Sequence, residues 1–194
     1  MRMKKKIINQ SNKRLILVIM LLVSLKASSQ DIAIKNNILQ DITCTLNLAG
    51  EYRCGDNYSV QLGLSYNPWE FSGNKKFKHI LVQPECRYWF TDVFMGHFVG
   101  VEAQYAQYNV GGLSPLSTIK NNRYQGNLIG VGVTYGYQWI LNTFWNIEAN
   151  ISLGYVHFDY DKYGQEKGAR KINKSTNDYF GPVNVGISFL YFIR

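Results

Sequence analysis

Along most of the chain, aromatic and β-branched residues alternate with small or polar ones, and a period of two predicts strands with two unlike faces. Over residues 125 to 141 the odd positions read Ile129, Val131, Val133, Tyr135, Tyr137, Trp139 and Leu141, against Gly126, Gly130, Gly132, Thr134, Gly136 and Gln138 at even ones. The next segment sets Ile147, Ala149, Ile151, Leu153 and Tyr155 against Asn146, Glu148, Asn150, Ser152 and Gly154. Eight such segments are predicted, at about 31–42, 46–54, 58–67, 79–90, 97–109, 124–141, 145–160 and 179–193.

The connections between them alternate in length. Short turns are predicted at Gly55-Asp56-Asn57, around Thr91 to Gly96, and at Asn142-Thr143-Phe144, and longer polar loops at 68–78, 110–123 and 161–178. An even number of two-faced strands joined this way predicts an all-β, eight-stranded antiparallel up-and-down transmembrane β-barrel. The connection near Thr43 to Thr45 is the exception, since an outer loop there would be unusually short.

Aromatic residues cluster where strands end, as interface girdles would. Trp89, Phe90, Phe94, Trp139, Phe144, Trp145 and Tyr191 fall at the short-turn ends. Tyr66, Trp69, Phe71, Phe77, Tyr105, Tyr108, Tyr124, Tyr155, Tyr160, Tyr163, Tyr179 and Phe180 fall at the other. The final strand carries Asn184, Gly186, Phe189 and Tyr191 in the polar-x-Gly-x-x-aromatic-x-aromatic spacing that resembles the signal read by the outer-membrane barrel-insertion machinery.

Residues 1–29 follow another rule. Arg2, Lys4, Lys5, Lys6, Lys13 and Arg14 precede the apolar run Leu15 to Val23 and then Lys26-Ala27-Ser28-Ser29. This is the order of a secretory signal peptide, cut after Ser29, and the run is far shorter than the ~20 apolar residues of a spanning helix. The expected organisation is therefore a signal peptide, 1–29, and a barrel domain, 30–194, resident in the outer membrane of a Gram-negative bacterium. Gln30 rather than Cys after the cut argues against a lipoprotein.

That leader changes the charge argument. It holds seven of the 21 basic residues and none of the 13 acidic ones, leaving the rest of the chain at +1, so the basic whole-chain balance gives no reason to expect nucleic acid as a partner. Cys44, Cys54 and Cys86 have no metal-binding spacing. If Cys44 and Cys54 lie at opposite ends of one strand, ten residues separate them by roughly 33 Å, beyond disulfide reach, so free cysteines are expected.

Tyr66-Asn67-Pro68-Trp69, the stretch from Lys78 to Phe90, Tyr108-Asn109-Val110-Gly111-Gly112, Tyr135-Gly136-Tyr137-Gln138-Trp139 and Tyr179-Phe180-Gly181-Pro182 together resemble the family described as domain of unknown function 3575. The resemblance implies a small outer-membrane protein of Gram-negative gut and oral bacteria, in some cases encoded near fimbrial genes. It brings no catalytic residues.

Two groups of charged residues are candidates for function. Lys35, Glu51, Arg53, Glu85, Arg87, Glu102 and Glu148 fall on the inward faces. An eight-stranded barrel is only wide enough for side chains to fill, so these predict an ion-paired plug closing the lumen rather than a proton or ion path. The long loops total +6, carrying Lys75, Lys76, Lys78, Lys120, Arg123, Lys162, Lys167, Arg170, Lys171 and Lys174. Such a basic end suits lipopolysaccharide phosphates, and all of these except Lys162 are the candidate contacts for that lipid or another partner.

No cofactor or metal is expected. Asp159 to Glu166 departs from the calcium-loop pattern, with Lys162 intruding. The leading expectation is a non-enzymatic surface barrel contacting lipopolysaccharide, a host surface or a fimbrial component. A lipid A-modifying enzyme is the alternative, with His79, His157 and Ser72 near the outer rim but no identifiable nucleophile-base-orienter set. A soluble periplasmic ligand-binding barrel would need the opposite facing, polar outside and apolar inside.

Overall fold

Inside-outside alternation organises the described strands. A computed structural model describes residues 31–71, 75–112, 122–164 and 171–193. These form β1 (Ile32–Asn37), α1 (Ile38–Ile42), β2 (Leu46–Arg53), β3 (Tyr58–Phe71), β4 (Lys75–Trp89), β5 (Gly96–Gly111), β6 (Asn122–Ile140), β7 (Trp145–Gly164) and β8 (Lys171–Ile193). Each strand pairs antiparallel with the next, and β8 pairs back onto β1, giving a closed barrel of eight strands in chain order. The predicted leader, Ser72, Lys120, Lys167 and Arg170 lie outside the described residues.

Outward positions are apolar on strand after strand: Leu48 on β2, Leu62 and Leu64 on β3, Val101 on β5, Ile129, Val131 and Val133 on β6, Ile151 and Leu153 on β7, Ile187 on β8, all exposed. Inward positions are polar or small, including buried Ser59, Gln83, Glu85, Arg87, Glu102, Thr134, Glu148 and Ser152. Gly136 sits inward opposite Phe98, where a Cβ would collide with the Phe98 ring. The glycine leaves room for that ring.

The first predicted segment, 31–42, is not strand throughout. Asn37 ends β1, and its side-chain carbonyl accepts the Leu39 amide at 3.0 Å as the N-cap of α1. Ser65 Oγ donates to Gln40 Oε1 of α1 at 2.6 Å, while the short helix packs chiefly beside β8.

The predicted long loops are corrected as well. Strand pairing continues to Phe71 and resumes at Lys75, continues to Gly111 and resumes at Asn122, and continues to Gly164 and resumes at Lys171. The sheet is consequently uneven in height. β1 and β2 hold 6 and 8 residues, whereas β6, β7 and β8 hold 19, 20 and 23. β1 meets β8 only from Asn37↔Ser188 to Ile32↔Ile193, so β8 above Ser188 pairs with β7 alone among the described residues. Within that upper part the β7–β8 register shifts between Ser152 and Leu153, which face Asn184 and Pro182 and leave Val183 as the extra residue. The bulge accommodates a proline that has no N–H to give a ladder.

Candidate functional site

The lumen divides into three storeys. At the end of the short turns it is filled by apolar and aromatic side chains: Trp89, Phe98, Phe94, Val93, Leu190, Phe192 and Ala33 form one buried cluster. The β4–β5 turn folds under the barrel to supply Val93 and Phe94, with Phe94 held at φ 71°. Its ring packs edge-on against Phe192 at 5.1 Å, and its carbonyl accepts Asn146 Nδ2 at 3.1 Å. Positive φ is uncommon for a bulky residue, and packing and hydrogen bonding here hold it. Trp89 and Phe94, expected in a girdle, are thus part of a plug.

Above the plug lies the charge network. Arg87 donates to Glu85 Oε2 at 2.8 Å, to Glu148 Oε2 at 2.9 Å and to Glu51 Oε2 at 3.3 Å, with its guanidinium over the Phe98 ring. Lys35 pairs with Glu148 at 2.6 Å and with Glu51. Ser59 Oγ donates to Glu51 at 2.5 Å and itself accepts Trp89 Nε1 at 2.8 Å, tying network to plug. The expected cluster is brought together except for Arg53. That residue stands past the closed part of the barrel, where its guanidinium donates to the carbonyls of Gly55 and Asp56. Without it, two buried cations, Lys35 and Arg87, face four buried carboxylates, Glu51, Glu85, Glu102 and Glu148. Glu85 and Glu102 are direct cross-strand partners.

Register carries the inner face upward into different chemistry. Leu81, Ala106, Leu128, Phe158 and Asn177 are successive cross-strand partners from β4 to β8, forming one row. Two residues higher the row reads His79, Tyr108, Gly126, Tyr160 and Ser175, and two higher again Phe77, Val110, Tyr124, Lys162 and Asn173. Most residues of these rows line a predominantly apolar chamber of about 520 Å³ at the loop end, above Gln104, whereas Gly126, Lys162, Asn173 and Ser175 continue the rows without lining it. Gln83 Nε2 reaches Gln104 Oε1 at 3.5 Å and separates the chamber from the charges below. Ring contacts stiffen the wall: Phe77 with His79 at 5.2 Å, Tyr124 with Tyr160 at 5.4 Å and Tyr108 with Phe158 at 6.2 Å.

This corrects the loop-end girdle. Phe77, Tyr108, Tyr124 and Tyr160 line the chamber, whereas Tyr66, Trp69, Tyr105, Tyr155, Tyr179 and Phe180 are the exposed aromatics at that end. Strand-end clustering does not distinguish the two directions. The parity of each residue relative to Gln104, Leu128 or Glu148 does.

The basic candidates occupy strands more than loops, and most of those described already have partners. Lys76 and Lys78 both pair with Glu70, at 3.3 and 2.7 Å. Hydrogen bonds from Lys78 and then Lys76 hold the Glu70 carboxyl below its usual range. Lys171 pairs with Asp161 at 2.6 Å and Lys174 with Asp159 at 3.0 Å, and the Asp159 hydrogen bond raises the Lys174 ammonium above its ordinary value. Arg123 stacks over Tyr163, 4.6 Å from the ring centroid, and Lys75 opens β4. From Asp159 to Gly164 the chain is thus strand, with Asp159 and Asp161 paired to lysines. No group of three metal-ligating side chains occurs among the described residues.

Of the two rim histidines, His79 belongs to the chamber wall. His157 lies on the outward face, where its Nδ1 is 2.6 Å from Asp178 Oδ1, the same oxygen that accepts the Tyr155 hydroxyl at 2.6 Å. Its cross-strand neighbours are Ile129 and Asp178, and neither is a nucleophile suited to that histidine. In the final strand, Gly186 is turned inward while Phe189 and Tyr191 face out, and Asn184 Nδ2 reaches Glu102 at 3.4 Å. Cys44, Cys54 and Cys86 are free and exposed.

No curated protein and no solved structure matches the chain. The model of the DUF3575 family, described as a protein of unknown function, matches residues 15–193. With the match running through all eight strands, the plug, the charge network and the chamber wall, the chain belongs to the DUF3575 family.

Proposed function

We propose that this protein is an outer-membrane barrel with a sealed lumen, exported by the leader at 1–29, and that it acts non-enzymatically from its loop end as a surface-interaction protein. The observation that carries this reading is the inverted facing: exposed Leu, Ile and Val around the outside and ion-paired Glu, Arg and Lys within. A soluble barrel would leave a continuous apolar belt in water, whereas a bilayer is the solvent such a belt requires. The terminal Asn184, Gly186, Phe189 and Tyr191 fit delivery to the insertion machinery.

Plug and charge network together support a non-conducting barrel. The partners proposed for the loop end remain lipopolysaccharide, a host surface or a fimbrial component. Among the described cations, pairing of Lys76, Lys78, Lys171 and Lys174 with acids weakens a purely electrostatic grip on phosphate and favours a site that also offers apolar contact. Heat-modifiable migration of the detergent-extracted outer-membrane fraction is the expected result. Recovery in the soluble periplasm would overturn the reading.

The His157–Asp178 pair favours one second reading, a lipid A-modifying enzyme, since a histidine oriented by a carboxylate is half of an acyl-transfer set. Lipid A mass spectra that differ between cells with wild-type protein and with His157→Ala would support it.

A further inference from the structure

We infer that the chamber at the loop end is a binding site for a single-chain amphiphile with an anionic head group, such as a fatty acid, the chain lying against the inner rows and the head at Lys162. This rests on the loop end being the active end of the barrel and specifies what it takes.

Three observations carry it. The chamber's volume, about 520 Å³, lies within the range of small-molecule sites. Its walls are apolar and aromatic, with Leu81, Ala106, Leu128 and Phe158 deepest, while the polar floor at Gln83 and Gln104 stops a chain from descending into the charges. Beyond the lining, Lys162 continues the inner face two residues above Tyr160, opposite the lining residue Tyr124, half-buried, and makes no ion pair among the described residues. The paired lysines differ from it, since Lys171 and Lys174 already hold Asp161 and Asp159. An ammonium above an apolar well, unpaired among the described residues, suits a ligand with one negative end and one greasy end. A neutral sterol would leave the cation unused, and a bare phosphate would leave the well unused.

The test is photolabelling of the full-length protein in nanodiscs with a diazirine-bearing palmitate, mapping labelled residues by mass spectrometry. The proposal expects label on the inward Tyr108, Phe158 or Tyr160, displaced by unlabelled palmitate. Ala106→Trp fills the chamber and should abolish that labelling, whereas Ala103→Trp, on the outward face of the same strand, should not. Lys162→Gln should weaken palmitate competition by about tenfold, the worth of one charge-assisted contact, and leave competition by the neutral monopalmitoyl glycerol unchanged. Label confined to outward residues such as Tyr105 and Tyr155, or inward label indifferent to Ala106→Trp, overturns the site. Equal competition by both amphiphiles before and after Lys162→Gln overturns the anionic head. Heat-modifiable migration of each variant reports folding separately. A protein that proved soluble would overturn the membrane reading while its chamber could still be labelled in buffer.

Discussion

Replacing Arg87 with methionine removes the hub of the buried network and isolates one carboxylate in particular. Lys35 still pairs with Glu51 and Glu148, but Glu85 loses the one cation it pairs with among the described residues and remains opposite Glu102. Breaking a buried pair by removing one partner costs about 3–5 kcal/mol, mostly from the charge left behind. If that is the source of the loss, Glu85→Gln in the same chain should recover roughly half of it or more. Glu85→Gln alone should cost no more than about 1 kcal/mol, because it also relieves a like-charge partner directly across the strand pair. The four proteins form a double-mutant cycle, read by urea titration of barrel folded in lipid vesicles with heat-modifiable migration as the folded signal. An Arg87→Met loss below about 1 kcal/mol, or no rescue by Glu85→Gln, would refute the view that the network is held together by compensation of buried charge.

Other consequences are equally open to measurement. Gly154→Ala places a Cβ against the Val131 carbonyl and Gly132 Cα, backbone atoms that cannot rotate away, and should destabilise by about 1–3 kcal/mol in the same titration. Gly50→Ala meets nothing within 4 Å and should stay within about 0.5 kcal/mol of wild type. Trp89→Phe should lose about 1 kcal/mol through the indole bond to Ser59, and Trp89→Ala about 3–5 kcal/mol through the emptied plug. In single-cysteine variants on intact cells, a membrane-impermeant maleimide should label Cys44 at the loop end and leave Cys54 at the turn end unlabelled. The reverse pattern would invert the proposed orientation.

The strands were legible because their two faces differ in character, apolar outward and polar or small inward. Where Ile129, Val131 and Val133 alternate with Gly130, Gly132 and Thr134, either face alone gives the period. Their upper ends were not legible. Residues such as Lys162, Tyr163, Lys171 and Lys174 carry no apolar alternation, and what extends them is cross-strand pairing, Lys171 to Asp161 and Lys174 to Asp159, between residues ten and fifteen apart in the chain. The interior cluster could be read by parity, and Arg53 failed because parity says nothing about where the barrel stops. Phe94 failed differently: a positive φ turns it into the lumen, and the apolar run Val93-Phe94-Met95 inside a short turn was the available hint. The chamber follows from parity counted through whole strands. Counting aromatics at strand ends merges its lining with the exposed aromatics.

The uneven height of the sheet bears on how copies of this protein avoid one another. Above Ser188, β8 has β7 on one side and, among the described residues, no strand on the other, so beyond α1 and the Asn37 Nδ2 bond to the Val185 carbonyl its backbone offers a margin onto which a foreign strand could add. The margin is poorly suited to growth. Pro182 has no amide to donate, the bulge at Val183 breaks the repeat, and Lys171, Lys174 and Asp178 place charge along it. A sheet that closes below and opens above therefore carries its own protection against edge-to-edge aggregation, written into the same strand that seals the barrel.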